Sequence, residues 1–292
     1  MNSKAKYLFR SITNFFEKKE CPYCKKVVSV VIDRKWLVTT LNKCNNCCLY
    51  YRHPLDSIAF NEEFYQEDYE QKDGITTDLP SDDYLAKLIK TNFSGISKDY
   101  TDKISMLKRL AFNNINLDKP SIIDFGANWG YTSYQLSNAG FNVQSYEISQ
   151  SRAKFGSKLG VDIFTQIESL KGLVDIFFSS HVIEHLPDIK SMFVLAQKLI
   201  KEDGFFVAFS PNGSKALQKA KFESFHKQWG EVHPNYLNNL FYMSTFKEVP
   251  YLIGTENSDP EMIKKWNQNT QTVLDLSGNE LFIFAKIKNQ KL

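Results

Sequence analysis

The sequence predicts an α/β fold: a doubly wound, mostly parallel sheet with a small cysteine-rich module ahead of it. Two patterns carry that prediction. From Ser121 to Ser210, short apolar strands alternate with amphipathic helices, the mark of βαβ units. All five cysteines, Cys21, Cys24, Cys44, Cys47 and Cys48, lie in one short N-terminal stretch. Size and composition bound the rest. The chain has 292 residues, 42% hydrophobic and 24% charged, near the averages of soluble globular proteins. That excludes a disordered chain, a collagen-like chain and a small disulfide scaffold.

Taken in order, residues 1–19 place Leu8, Ile12 and Phe15 at helical spacing among lysines, which predicts a short amphipathic helix docked on its own domain or, alternatively, on a membrane surface. There is no continuous apolar core and no small-residue cleavage site, so no secretory signal is expected. The longest apolar runs, such as Val27 to Ile32 and Phe205 to Phe209, are far short of a membrane span. The expectation is a cytoplasmic protein with no transmembrane segment. Net charge is +3, with 36 Lys and Arg together of which only five are Arg, so the guanidinium forks of nucleic-acid recognition are scarce.

Residues 20–56 read as a zinc-binding module. Cys21-x2-Cys24 and Cys44-x2-Cys47 each aim two thiolates at one point, and two such turns complete a tetrahedron around Zn2+. Four thiolates close the shell, so the metal is expected to be structural; a redox dithiol is the lesser alternative. Cys48 is the spare thiol. Val27–Ile32 and Trp36–Leu41 read as a hairpin between the pairs. Residues 57–115 form a helical leader, with Phe60, Phe64, Tyr65 and Tyr69 at helix-like spacing, a loop near 74–82, and helices near 83–93 and 99–113.

Residues 116–292 hold the main domain. Strands are expected at Ile122–Phe125, Asn142–Glu147, Asp162–Phe164, Val174–Ser180 and Gly204–Ser210, and helices at 130–139, 150–159 and 188–201. The tail has strand-like segments at 248–254, 271–276 and 280–288, with Gly278-Asn279 as the turn of a terminal antiparallel hairpin.

The chemistry concentrates where the first of these strands ends. Asp124-Phe125-Gly126-Ala127-Asn128-Trp129-Gly130 closes a strand and opens a helix, and Gly126 and Gly130 let backbone approach a ligand. Glu147 ends the next strand, where a carboxylate can accept both hydrogen bonds of a ribose diol. The dinucleotide fingerprint lacks its middle glycine, and an acid at Asp124 opposes pyrophosphate but suits a cation. S-adenosylmethionine offers an ammonium and a sulfonium. No phosphate-binding G-x-x-x-x-G-K-[S/T] is present.

Asp124 to Gly130 with Glu147 resembles motif I and the second-strand acid of class I S-adenosylmethionine-dependent methyltransferases, which have a Rossmann-like doubly wound sheet. His181-Val182-Ile183-Glu184-His185-Leu186-Pro187-Asp188 resembles that superfamily's segment after the fourth strand. Cys21-Pro22-Tyr23-Cys24, Lys43-Cys44-Asn45-Asn46-Cys47-Cys48-Leu49, His53-Pro54 and Phe64-Tyr65-Gln66-Glu67-Asp68-Tyr69 resemble the zinc-ribbon leader of one branch, the sugar C-methyltransferases and related glycan-pathway methyltransferases. Two departures stand out: Cys48 where the family usually has Gly, and Asn128 where Gly is common.

The resemblance implies that Asp124, Gly126, Asn128 and Gly130 line the methionine end of the cofactor. It implies that Glu147 takes the ribose, Ile148 packs on adenine, and Ser180 and His181 close the pocket. It implies methyl transfer to a small-molecule acceptor, a sugar or nucleotide-sugar, with a histidine as base. His233, His185 and His181 are the candidate catalytic residues; His226 lies nearby. The alternative for His233 is a helix N-terminal residue before Pro234. A catalytic metal on the adjacent Glu184 and His185 would need further ligands from distant loops. Two other functions stay open: an RNA methyltransferase whose zinc module holds RNA, and a non-catalytic partner that keeps the cofactor fold. No Asn/Asp-Pro-Pro-Tyr follows the fourth strand, which argues against methylation of a base's exocyclic amine.

Overall fold

The computed structural model describes residues 3–16, 18–35, 37–56, 60, 78–114 and 119–291. Trp36, Phe64, Tyr65, Tyr69 and residues 74–77 of the expected loop lie outside the described residues. The chain divides into two units: Glu62–Ser179 with Leu199–Phe205, and Met1–Asn61 with Ser180–Lys198 and Phe206–Leu292.

The first of these is the parallel βαβ core. Strands β4 (Ser121–Phe125), β5 (Asn142–Tyr146), β6 (Ile163–Phe164) and β7 (Val174–Ser180) stand in the order β7-β4-β5-β6, all pairs parallel. The apolar runs of β4 and β7 are buried on both faces, as central parallel strands require, while β5 and β6 towards the edge are only partly buried. Helices Tyr131–Asn138 and Gln150–Phe155 make the crossovers. Trp129, fully buried among Leu85, Leu88, Phe93 and Leu159, anchors the turn that leaves β4. Burying Leu85 and Leu88 ties the helix Asp82–Lys90, capped by Ser81, to that cluster.

The other unit holds two sheets. Strands β8 (Ile200–Pro211, of which Phe206–Pro211 lies here), β10 (Tyr251–Thr255), β11 (Gln271–Val273) and β12 (Glu280–Ala285) stand in the order β11-β10-β12-β8. The smaller sheet is β1 (Ser29–Lys35), β2 (Thr39–Cys44), β3 (Tyr50–His53) and β9 (Asn235–Tyr236), in that order. A mixed α/β fold with a large, mostly parallel sheet is therefore present.

Several expectations change. The terminal hairpin across Gly278-Asn279 does not form: β12 pairs antiparallel with β10 and β8, and β11 runs parallel to β10. The connection from Thr255 to Gln271, with its helix Pro260–Lys264, is long enough for a parallel crossover. The Gly278 turn instead folds onto the preceding loop, where Glu256 accepts the amides of Asn279 and Glu280. The β1 and β2 strands sit two to three residues later than expected, because β2 runs directly into the Cys44 turn. The N-terminal helix Ser3–Thr13 packs through Tyr7 and Ser11, while Leu8 and Ile12 are 42% and 51% exposed; its apolar stripe is not the docked face. Pro234 is followed by strand β9, so His233 heads no helix.

Candidate functional site

The turn after β4 carries three left-handed residues in a row of five: Gly126 (φ 86°), Asn128 (φ 54°) and Gly130 (φ 88°). The amides of Gly126 and Ala127 both donate to the Tyr146 carbonyl at 2.8 Å, which bends the chain back over the end of β5. Asn128 suits its left-handed position because its side chain is used locally. Its Oδ1 accepts from the Trp129 amide at 2.8 Å and from Arg152 Nη1 at 2.6 Å. A glycine there would lose both bonds.

Glu147 is 6% exposed and both carboxylate oxygens are engaged: Oε2 accepts from the Asn128 amide and Oε1 from the Ser149 amide, each at 2.9 Å. Burial raises its pKa, against these amides and Arg152. The Ile148 amide bonds the carboxylate as well, and a carboxylate has about four acceptor sites, so capacity remains for a hydroxyl of a diol. Asp124 is buried and accepts from Ser133 Oγ at 2.6 Å, which in turn accepts from Ser145 Oγ. Burial pushes its carboxyl up to about 7, Ser133 opposing and Glu147 adding. Asp124, Gly126, Asn128, Gly130 and Glu147 are thus brought together, with Ile148 beside Glu147 in the chain. Ser180 and His181 fall in the other unit.

The four thiols of Cys21, Cys24, Cys44 and Cys47 converge within 4.8 Å of one another. The two turns are near copies. In each, the amide of the first cysteine receives its carbonyl partner five residues on (Cys21 to Lys26, Cys44 to Leu49), and its own carbonyl accepts an amide four residues on (Lys25, Cys48). Lys25 and Cys48 occupy the same left-handed position, at φ 58° and 63°. That explains the glycine usual after the fourth cysteine; Cys48 holds the position and is not part of the cluster. Contact with Cys47 lowers the Cys21 thiol to about 6, while burial raises Cys44 to about 11 and the Cys21 contact raises Cys47 further. Four thiolates cannot share this buried space without a cation, so the donor set fits Zn2+.

The small sheet reaches beyond the cysteines. Strand β9 pairs with β3, and the buried Arg52 donates to the carbonyls of Gly230, Glu231 and Pro54. The Arg52 amide donates to the Pro234 carbonyl at 2.7 Å. Asp33 of β1 accepts from Trp229 Nε1 and contacts His226 Nδ1 at 2.7 Å. The segment that carries His233 is therefore clamped from both sides by the cysteine module.

His233 meets His185, with ring centroids 4.8 Å apart. Each has its Nδ1 on a backbone carbonyl: His185 on Val232 at 2.7 Å, His233 on Gln228 at 2.6 Å. Glu184 beside them is fully buried. Burial alone would raise its carboxyl, but His181, His185 and His233 outweigh it and hold it down to about 2. Burial pushes His185 down to about 4, so it is neutral near pH 7. His181, in a strained conformation (φ 56°), sits between carboxylates: Nδ1 lies 3.2 Å from Glu184 and Nε2 2.6 Å from Glu280.

Sequence reasoning missed Arg52 and Arg152, two of the five arginines. Their burial at 1% and 2% is what that scarcity could have flagged.

Structural comparison places the fold. The plantazolicin methyltransferase BpumL, in complex with a pentazolic desmethylPZN analog and SAH, superposes with a TM-score of 0.51 over 77% of this chain and 95% of its own, at 10% identity. The magnesium protoporphyrin IX methyltransferase from Synechocystis PCC 6803 with bound SAM gives a TM-score of 0.46 over 80% and 98%, at 13% identity. The fold is that of the first of these proteins. No family model and no curated relative matches the chain.

Proposed function

We propose that this chain is a class I S-adenosylmethionine-dependent methyltransferase with a structural zinc site, acting in the cytoplasm on a small-molecule acceptor, a sugar or nucleotide-sugar. The observation that carries the reading is the Asn128–Glu147 arrangement. A turn bent by Gly126, Asn128 and Gly130 lies against a buried carboxylate whose orientation two backbone amides set. The shared fold with a methyltransferase crystallised with SAH supports it. Among the described residues no helix is long and apolar enough to cross a membrane.

In this reading Glu147 binds the ribose hydroxyls with its remaining lone pairs, and Gly126, Asn128 and Gly130 form the wall beside the methionine portion. Asp124 faces the cationic end and Ile148 packs on adenine. Bound S-adenosylmethionine supplies a methyl group on a sulfonium, open to direct displacement. The chain's task is then alignment and proton removal. His233, His185 and His181 are the candidates for the second. The tautomers that the Val232 and Gln228 carbonyls favour leave Nε2 of His185 and His233 as acceptors. Residues 20–56 hold zinc and brace the His233 segment; residues 57–115 are the leader and 116–292 the catalytic domain.

Calorimetric titration of S-adenosylmethionine and S-adenosylhomocysteine tests the cofactor. Binding of both in the micromolar range supports the reading, followed by screening nucleotide-sugars for a methylated product. Absence of binding by either opposes it.

A further inference from the structure

We propose that Glu184, His185 and His233 form a second metal site, separate from the four cysteines, for one first-row divalent cation such as Zn2+, Fe2+ or Mn2+. One ligand atom from each residue lies within 4.8 Å of the others. The donor set, two imidazoles and one carboxylate, is the facial arrangement that such cations favour.

Three independent features point to a cation. Glu184 has no exposed surface, and neither of its oxygens has a hydrogen-bond partner among the described residues. His181 Nδ1 lies 3.2 Å from Oε1, a single imidazole contact for a carboxylate with no exposed surface. Native proteins rarely bury a carboxylate in this way unless something positive comes to it. Second, both histidines engage Nδ1 with a backbone carbonyl, Val232 and Gln228. That is the outer support metal-binding histidines almost always have; it fixes the tautomer and leaves the Nε2 lone pair bare. Third, the ligands come from two segments that are themselves held. Glu184 and His185 sit in a short turn after β7, and His233 on the stretch clamped by Arg52 and Asp33. Metal–ligand bonds of about 2.1 Å would draw the three atoms roughly an ångström closer, within the reach of side-chain rotation.

The two sites differ in kind. Four cysteines close a coordination shell. Three ligands, two of them on partly exposed histidines, leave a position open to an oxygen of a bound molecule. That the open position receives the acceptor's hydroxyl rests on the methyl-transfer reading; cation binding itself does not. With the cation bound, His185 and His233 are ligands and His181 is the histidine left to accept a proton.

The test is titration with Co2+ of the purified full chain carrying one zinc per chain, read by metal analysis and visible absorption. The expected result is one Co2+ per chain beyond the cysteine-bound zinc, with weak bands of nitrogen and oxygen ligation and no thiolate charge transfer. Glu184→Gln and His233→Ala should each weaken that binding at least about tenfold, while zinc content and far-ultraviolet dichroism stay as in the parent chain. If Glu184→Gln fails to fold, the partly exposed His233→Ala carries the comparison. No second Co2+, thiolate bands alone, or binding unchanged in a folded His233→Ala would overturn the proposal. Binding of S-adenosylhomocysteine is measured separately, so failure of the cation site and failure of the cofactor reading are told apart.

Discussion

Glu147 and Glu184 are both buried carboxylates placed just beyond a strand of the large sheet, and the chain treats them in opposite ways. Glu147 receives a backbone amide on each oxygen. Glu184 receives none among the described residues and faces three imidazoles instead. The first is oriented by amides although burial still raises its pKa, and its remaining acceptor capacity can serve a neutral diol. The second is kept ionised by imidazoles, with neither oxygen in a hydrogen bond among the described residues, and a cation would meet it directly. The comparison separates a site that recognises by hydrogen bonds from one that recognises by charge.

The largest effect is expected outside both carboxylates, at the cysteines. Cys44→Ser should abolish zinc retention and with it the folded module, since structural zinc contributes about 10–16 kcal/mol to small zinc-dependent folds. Zinc analysis with a thermal melt reads the outcome. A folded, zinc-free Cys44→Ser chain would show that the module does not depend on metal. Next, Glu147→Gln and Glu184→Gln should differ in how their effect on the metal-free chain depends on pH. Glu147→Gln turns an acceptor oxygen into a donor facing an amide, and should destabilise by about 1–3 kcal/mol. Glu184→Gln removes a carboxylate that, against burial, its imidazole neighbours hold down to about 2, below the ordinary 4.5, so it should destabilise at pH 7 and the loss should fade as pH falls through that window. Denaturant melts of the two variants at pH 7 and pH 3 decide; a Glu184→Gln loss of the same size at both would erase the distinction.

Asp124 provides a smaller, pH-dependent contrast. Its folded pKa of about 7 stands above the ordinary 3.8, so the folded chain holds a proton the unfolded chain gives up. Its contribution is complete below the unfolded value and is lost as pH rises through that window. Asp124→Asn should therefore reduce the fall in melting temperature between pH 5 and pH 8, compared with the parent chain. A fall of the same size in both would place the titration elsewhere. The smallest effect belongs to Cys48. Glycine accepts its left-handed backbone without steric cost, so Cys48→Gly should stabilise by no more than about 1 kcal/mol with zinc content unchanged.

What was legible in the sequence follows from distance along the chain. The cysteine turns, the bend from Asp124 to Gly130 and the βαβ alternation are local patterns, and the structure places the four thiols and the turn over β5 as those patterns suggest. The brace from Arg152 to Asn128 and the clamp from Arg52 to the His233 segment join residues that no periodicity connects. The same holds for His185 and His233. Adjacent Glu184 and His185 raised the question of a metal, but the third ligand comes from a loop whose approach depends on β9 joining the cysteine sheet. The C-terminal error has a similar source. A glycine turn between two apolar runs reads as a hairpin, and only the crossover through Pro260–Lys264 reverses that pairing. In the N-terminal helix, apolar spacing counts Leu8 and Ile12, while the structure buries Tyr7, over whose ring the Arg52 guanidinium sits at 5.3 Å.

The most direct test of the account is calorimetric titration of S-adenosylhomocysteine into the parent chain, Glu147→Ala and Glu184→Gln. The account predicts micromolar binding to the parent, a loss of at least about tenfold, or 1.4 kcal/mol, in Glu147→Ala, and unchanged affinity in Glu184→Gln. Equal affinity for the parent and Glu147→Ala would contradict it.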